Sequence, residues 1–157
     1  MGAKIKQVEY YLPEGILTNE ELEKAYPEWS ATKLEKKVGI KQRHIAGPNE
    51  TSLDLATKAA IKVLEKEDKD LIDFVLFCTQ SPDYLLPTSA CLLQSRLGLK
   101  TSIGALDFNL GCSGYVYGLA LAKGLINSGV CKNILLVTGE TYSKFIAEDD
   151  ISNRSIF

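Results

Sequence analysis

Two short runs restrict this chain most. Phe74-Val75-Leu76-Phe77-Cys78, within 73–79, and Ile134-Leu135-Leu136-Val137, within 133–139, are apolar at every position. A strand with one wet face alternates, so unbroken runs belong inside a sheet covered on both faces. Ile103 to Asn109 reads as a third strand. Helical stretches separate them. Thr51 or Ser52 opens an amphipathic helix, with Leu53, Leu55, Ala56, Ala59, Ala60, Val63 and Leu64 at three- and four-residue spacing. Thr88 or Ser89 opens another, through about Leu97 and closed by Gly98. A third follows Cys112 to about Ser128. Strands and helices in alternation predict an α/β layered fold with a mixed or mostly parallel sheet. At 157 residues, length allows one ordinary domain with a core.

The N-terminal third is less regular. Lys4 to Leu12 reads as a strand ending at the turn Pro13-Glu14-Gly15. Thr18-Asn19-Glu20-Glu21 is a helix entry, and that helix stops near Ala25, before Pro27. Ser30 caps a second helix to about Val38, ended by Gly39. Gln42 to Ile45 is extended, and Gly47-Pro48-Asn49 is a turn. Lys66 to Asp70 is a solvated loop or frayed helix end, and Ser81 to Pro87 is a loop. The ending on Ile156-Phe157 predicts a strand cut short.

Composition excludes several classes. A net charge of -2 argues against nucleic acid or a membrane surface as partner. No apolar run approaches the roughly 20 residues of a spanning helix. The first residues lack a signal peptide's apolar core, which predicts a cytoplasmic protein. Cys78, Cys91, Cys112 and Cys131 form no C-x-x-C pair, and His44 is the one histidine. That spacing argues against a metal site, and a reducing compartment argues against disulfides. Cys78, in an apolar run, and Cys91, on an apolar helix face, are expected in the core.

Between strand and third helix lies Leu110-Gly111-Cys112-Ser113-Gly114-Tyr115. Glycines flank a tight turn and place Cys112 at or beside the first helical position. Unpaired amides and the positive helix end there favour thiolate over thiol. Such a cysteine is a candidate nucleophile, or it is inert packing; the turn alone leaves both open. The helix that follows is apolar nearly all round, so burial is expected. Gly114, Gly118 and Ala122 recur every four residues. Each helical glycine costs about 1 kcal/mol relative to alanine, and close approach of another backbone is the expected compensation.

Four ordered motifs carry a resemblance. Gly104-Ala105-Leu106-Asp107 with Gly111-Cys112-Ser113-Gly114-Tyr115 resembles the active-site segment of β-ketoacyl-acyl-carrier-protein synthase III, of the thiolase superfamily. Tyr11-Leu12-Pro13-Glu14 with Thr18-Asn19 agrees. So do Gly39-Ile40 with Arg43-His44-Ile45-Ala46 and Asn49-Glu50-Thr51, and Pro87-Thr88-Ser89-Ala90-Cys91 with Gln94 and Leu97-Gly98. The resemblance implies the N-terminal half of the thiolase-like αβαβα layered fold, with a mixed sheet and a buried central helix. Residues 1–157 would be that half alone. The second half would carry the histidine and asparagine that steer decarboxylation, a role His44 does not fill.

The same resemblance implies the chemistry. Cys112 would accept an acyl group from acyl-CoA and condense it with a malonyl group on acyl-carrier protein, in fatty-acid-type biosynthesis. No cofactor or metal is implied; acyl-CoA is a substrate. The half alone would be inactive in condensation. Leu86 matches a position that reaches across a homodimer interface to close the partner's acyl pocket. Lys33 and Lys37 fall where CoA-binding residues stand, and Trp29 does not align with the stacking tryptophan. Lys33, Lys36, Lys37, Lys41 and Arg43 form a basic cluster suited to anionic CoA and carrier protein, or a solvated face. Alternatives are a secondary-metabolite acyltransferase, a hydroxymethylglutaryl-CoA synthase type, or a non-catalytic fragment dimerising through the Gly114/Gly118/Ala122 stripe.

Overall fold

The computed structural model describes residues 2–157, and Met1 lies outside the described residues. Contacts divide the chain into two compact units, one running to Tyr11 and again over Thr51–Glu140, the other Leu12–Glu50 with Thr141–Phe157.

The first unit is a parallel three-stranded sheet. Unit two contributes the first two strands of the chain, β1 (Gly15–Thr18) and β2 (Gln42–Ile45), so this sheet holds β3 (Phe74–Cys78), β4 (Gly104–Phe108) and β5 (Ile134–Thr138), in the order β4-β3-β5. Val75 stands opposite Ala105 and Leu135, and Phe77 opposite Asp107 and Val137. Val75, Leu76 and Phe77 are wholly buried, as an unbroken apolar central strand requires. One sheet face, carrying Val75, Phe77, Leu135 and Val137, packs on Leu53, Ala56 and Ala60 of α3 (Ser52–Leu64) and on Ala90 and Leu93 of α4 (Ser89–Arg96). The opposite face receives α5 (Gly114–Asn127). The chain steps from β3 to β4 through α4, then back past β3 to β5 through α5. Right-handed crossovers in opposite directions place the two helices on opposite faces.

Unit two pairs β1 (Gly15–Thr18) antiparallel with β2 (Gln42–Ile45), joined through α1 (Asn19–Ala25) and α2 (Ala31–Val38). Thr18 and Glu21 close a capping box on α1, and Ser30 caps α2. Gly39 ends α2 with φ 74°, a conformation that suits glycine.

Three expectations change. Residues 4–12 form no strand. Residues 6–11 are instead tied by side chains to α3 and the residues after it, through Lys6 to Glu67, Lys66 to Glu9, Lys58 to Tyr11 and Lys62 to the Tyr10 carbonyl. Ile156-Phe157, expected as a strand cut short, form no strand and follow a short helix, α6 (Ile151–Arg154). The apolar helix α5 buries only Gly114 and Gly118, because it lies on one sheet face and its other sides meet no further layer among the described residues. Tyr115, Val116, Tyr117 and Leu121 stay exposed.

Candidate active site

The loops after β3, β4 and β5 leave the same edge of the sheet. In open parallel sheets, ligand sites form at that edge, where adjacent strands send their connections to opposite faces. Here the adjacent pair is β3, followed by α4, and β4, followed by α5. Cys112 lies in the second of these connections.

The turn at Cys112 closes through a hydrogen bond from the Gly114 amide to the Gly111 carbonyl, 2.8 Å. Ser113 is the N-cap and Gly114 the first helical residue, so Cys112 stands two positions ahead of the helix. Cys112 is exposed, and among the described residues its amide has no acceptor. Its glycines serve proximity and not an unusual backbone angle; both have negative or ordinary φ. A Cβ on Gly114 would stand 2.4 Å from Cys78 Sγ, and one on Gly111 2.7 Å from Gln80 Oε1. A Cβ on Gly118 would stand 2.7 Å from Leu136 Cδ1. The glycines therefore answer to side chains of the sheet and of the loop after β3, not to another backbone. Already filled on that side, Gly114 and Gly118 offer no surface there for a second copy.

The other cysteines differ. Cys78 is buried, donates to the Leu110 carbonyl at 3.2 Å, and burial pushes its thiol pKa up. Burial, with the nearby Asp73 carboxylate, also pushes Cys131 up. Cys91, expected in the core, is exposed: α4 turns Ala90 and Leu93 inward and Cys91 outward.

Two carboxylates brace this edge, and sequence reading missed the roles of both. Asp107, on β4, accepts from the Ser89 and Ala90 amides at 2.7 and 2.6 Å. It thus caps α4 from a neighbouring strand, where Thr88 makes no side-chain cap. Glu140, after β5, accepts from the Gln80 amide at 2.6 Å and the Ser81 hydroxyl at 2.8 Å. The residue is exposed, but its carboxyl end packs over the loop, and that desolvation raises its pKa. A charged residue directly after an apolar strand, at the edge bearing the cysteine, was the available signal for Glu140.

Other expected site residues are placed as follows. Leu86 lies on the loop between β3 and α4 and is 81% exposed. In unit two, Lys33 and Lys37 are exposed on α2, one turn apart, with Lys37 Nζ 5.4 Å from the Trp29 ring centroid. Arg43 leaves the proposed basic cluster: it is buried, its guanidinium donating to Asn19 Oδ1 at 2.8 Å and to the Ser155 carbonyl. Both contacts are internal to the unit, so Arg43 is an anchor and not a docking group. His44 Nδ1 pairs with the Pro13 carbonyl at 2.7 Å. A cavity of about 530 Å³ in unit one lies between residues 3–9, α3, α5 and β5, away from Cys112. No helix among the described residues is long and apolar enough to cross a membrane.

Comparison with known proteins fits this layout. The sequence profile of 3-oxoacyl-[acyl-carrier-protein] synthase III matches residues 106–157, which hold Cys112. The synthase III of Campylobacter jejuni subsp. doylei is 42% identical over 162 residues, covering 99% of this chain and 48% of that protein. The chain matches the N-terminal half of β-ketoacyl-acyl-carrier-protein synthase III. It spans about half the length of the curated synthase III relatives it matches. The Chlamydia caviae synthase III is 41% identical, over 94% of this chain and 44% of its own length. A 3-oxoacyl-(acyl-carrier-protein) synthase III crystal structure superposes with TM-score 0.95 at 52% identity, covering 99% of this chain and 47% of that one. That of Burkholderia xenovorans gives 0.91 at 36%, covering 98% and 44%. The α/β fold agrees with these synthase III structures, while the β4-β3-β5 sheet is wholly parallel where a mixed one was expected.

Proposed function

We propose that the protein of which these 157 residues are the synthase III-like part is a condensing acyltransferase. The observation that carries this is Cys112, exposed on the Gly111–Gly114 turn at the edge of the sheet where the strand-to-helix loops leave. The Cys112 thiolate attacks the carbonyl carbon of an acyl-CoA. The carbon–sulfur bond to CoA breaks, and CoA leaves as a thiolate that takes up a proton. The acyl group is now a thioester on Cys112. A malonyl group on acyl-carrier protein then loses CO₂, and the resulting carbanion attacks that thioester. Cys112 leaves as thiolate, and a 3-oxoacyl carrier protein is released. Sulfur suits both steps because a thiolate attacks and departs readily near neutral pH. The Cys112 amide, with no acceptor of its own, supplies one oxyanion donor.

The remaining assignments rest on exposure and the family match. Lys33 and Lys37 contact the CoA phosphates from the open face of α2. Leu86, bare on its loop, closes the acyl pocket of a second copy in a homodimer. The protein acts in the cytoplasm.

The test is product formation at full encoded length, from a short acyl-CoA and malonyl carrier protein. Cys112→Ser should lower 3-oxoacyl carrier protein formation by about 10³-fold or more, the scale of losing a catalytic nucleophile. A Cys112→Ser protein that retains wild-type turnover overturns the proposal.

A further inference from the structure

Glu140 and Gln80 stand behind the nucleophile turn without any part in the reaction written above. Gln80 directly follows Thr79, whose amide donates to the Phe108 carbonyl at 3.3 Å and so extends the β3–β4 ladder. The next residue, Ser81, is held from two directions: its carbonyl accepts from Ser52 Oγ at 2.6 Å, and its hydroxyl meets Glu140. The Glu140 carboxylate also takes the Gln80 amide. With its backbone so fixed, Gln80 lays its carboxamide against Gly111, close enough that a Cβ there would stand 2.7 Å from Oε1 and 3.2 Å from Cδ. Gly111 in turn carries the carbonyl that closes the Cys112 turn. The titratable group facing Glu140 from β3 is the Cys78 thiol, itself under the turn and bonded to the Leu110 carbonyl.

We infer that Glu140 is a positioning residue, acting through Gln80 to hold the Gly111–Gly114 turn in the geometry that presents Cys112 to an acyl thioester. This rests on Cys112 being the acyl acceptor proposed above. A carboxylate is suited to the task, because two acceptor oxygens reach two donors and charge shortens and strengthens both bonds. The contact costs the carboxylate part of its hydration, in keeping with the raised pKa.

Positioning matters most for a reaction with strict approach geometry, and least for a small reagent that attacks from any side. The experiment therefore compares two readouts at Cys112 in the protein at full encoded length: acylation by a short acyl-CoA, and alkylation by iodoacetamide. Glu140→Ala and Gln80→Ala should each slow acylation by about tenfold, well under the ~10²-fold cost of a 1 Å misplacement. Alkylation should stay within about twofold, and Glu140→Gln, which keeps an acceptor for the Gln80 amide, should recover most of the acylation rate. Wild-type acylation with no slowing in either alanine variant overturns the inference and leaves the acyl-acceptor reading intact. So does equal slowing of acylation and alkylation, which marks general disorder. No acylation of Cys112 in the wild type overturns both. If Glu140→Ala fails to fold, Gln80→Ala decides alone.

Discussion

The two faces of the β4-β3-β5 sheet are covered in opposite ways. On one, α3 and α4 interlock Leu53, Ala56, Ala60, Ala90 and Leu93 with Val75, Phe77, Leu135 and Val137. Side chains from both layers fill the gap. On the other, α5 approaches through Gly114 and Gly118, meeting Cys78, Leu136 and Phe108. The sheet supplies the side chains there and the helix supplies absence of them. The outer side of α5 is then apolar and open, with Val116 66% exposed. The first face is built for cohesion. The second is built to bring a turn and a cysteine close over the strand ends, and the helix sequence follows from that approach.

This contrast can be broken or sharpened by substitution. The largest effect belongs to the interlocked face: Phe77→Ala should lower stability by about 3–5 kcal/mol in chemical denaturation, as buried aromatic deletions do. On the glycine face the sign reverses, since addition does the damage. Gly114→Ala should cost about 1–3 kcal/mol despite the ~1 kcal/mol that alanine gains in a helix. Adding Cys78→Ala to it should recover part of that loss, because the blocking atom is Cys78 Sγ. A double variant no more stable than Gly114→Ala would show that the clash lies elsewhere.

Asp107→Asn tests the tie between β4 and α4, and should cost about 1 kcal/mol by weakening the charge-assisted cap. The thiols add a pH dependence. Cys78 and Cys131 have folded pKa values raised above the ordinary 9.0. Their contribution to stability is complete below that value and is lost as pH rises through the folded values. A denaturation series run upward from pH 9 should show this loss, and it should shrink in Cys78→Ala. The smallest effect is on the open side of α5: Val116→Ser should change the stability of the 157-residue chain by under about 0.5 kcal/mol. A loss of several kcal/mol there would mean that α5 is covered in solution.

The legibility of the sequence follows the same division. Periodicity placed α3, its Thr51 cap and the apolar strands, because amphipathic spacing reports burial on a simple face. It failed for α5, where hydrophobicity all round implied burial and the helix is mostly open. Cys91 shows a related limit: a short helix with little amphipathic contrast does not reveal which apolar residue turns inward. At 4–12, Val8, Tyr10 and Leu12 alternate as a strand would, but no ladder forms, and lysines of α3 hold the segment through the Tyr11 hydroxyl and the Tyr10 carbonyl. Cys112 and its turn were visible as a local motif. Arg43 was grouped with lysines by charge, although its partners, Asn19 and Ser155, are far away in sequence. Glu140 and Gln80 lie 60 residues apart, so only the parallel pairing of β3 with β5 brings them together.

The account stands on Cys112 as the acyl acceptor, and one measurement addresses it directly. The protein at full encoded length is incubated with a short acyl-CoA, digested, and the cysteine peptides are mapped by mass spectrometry. The account predicts acyl mass on the Cys112 peptide and none on Cys78, Cys91 or Cys131. Acylation of the exposed Cys91 in preference to Cys112, or of neither, would contradict it.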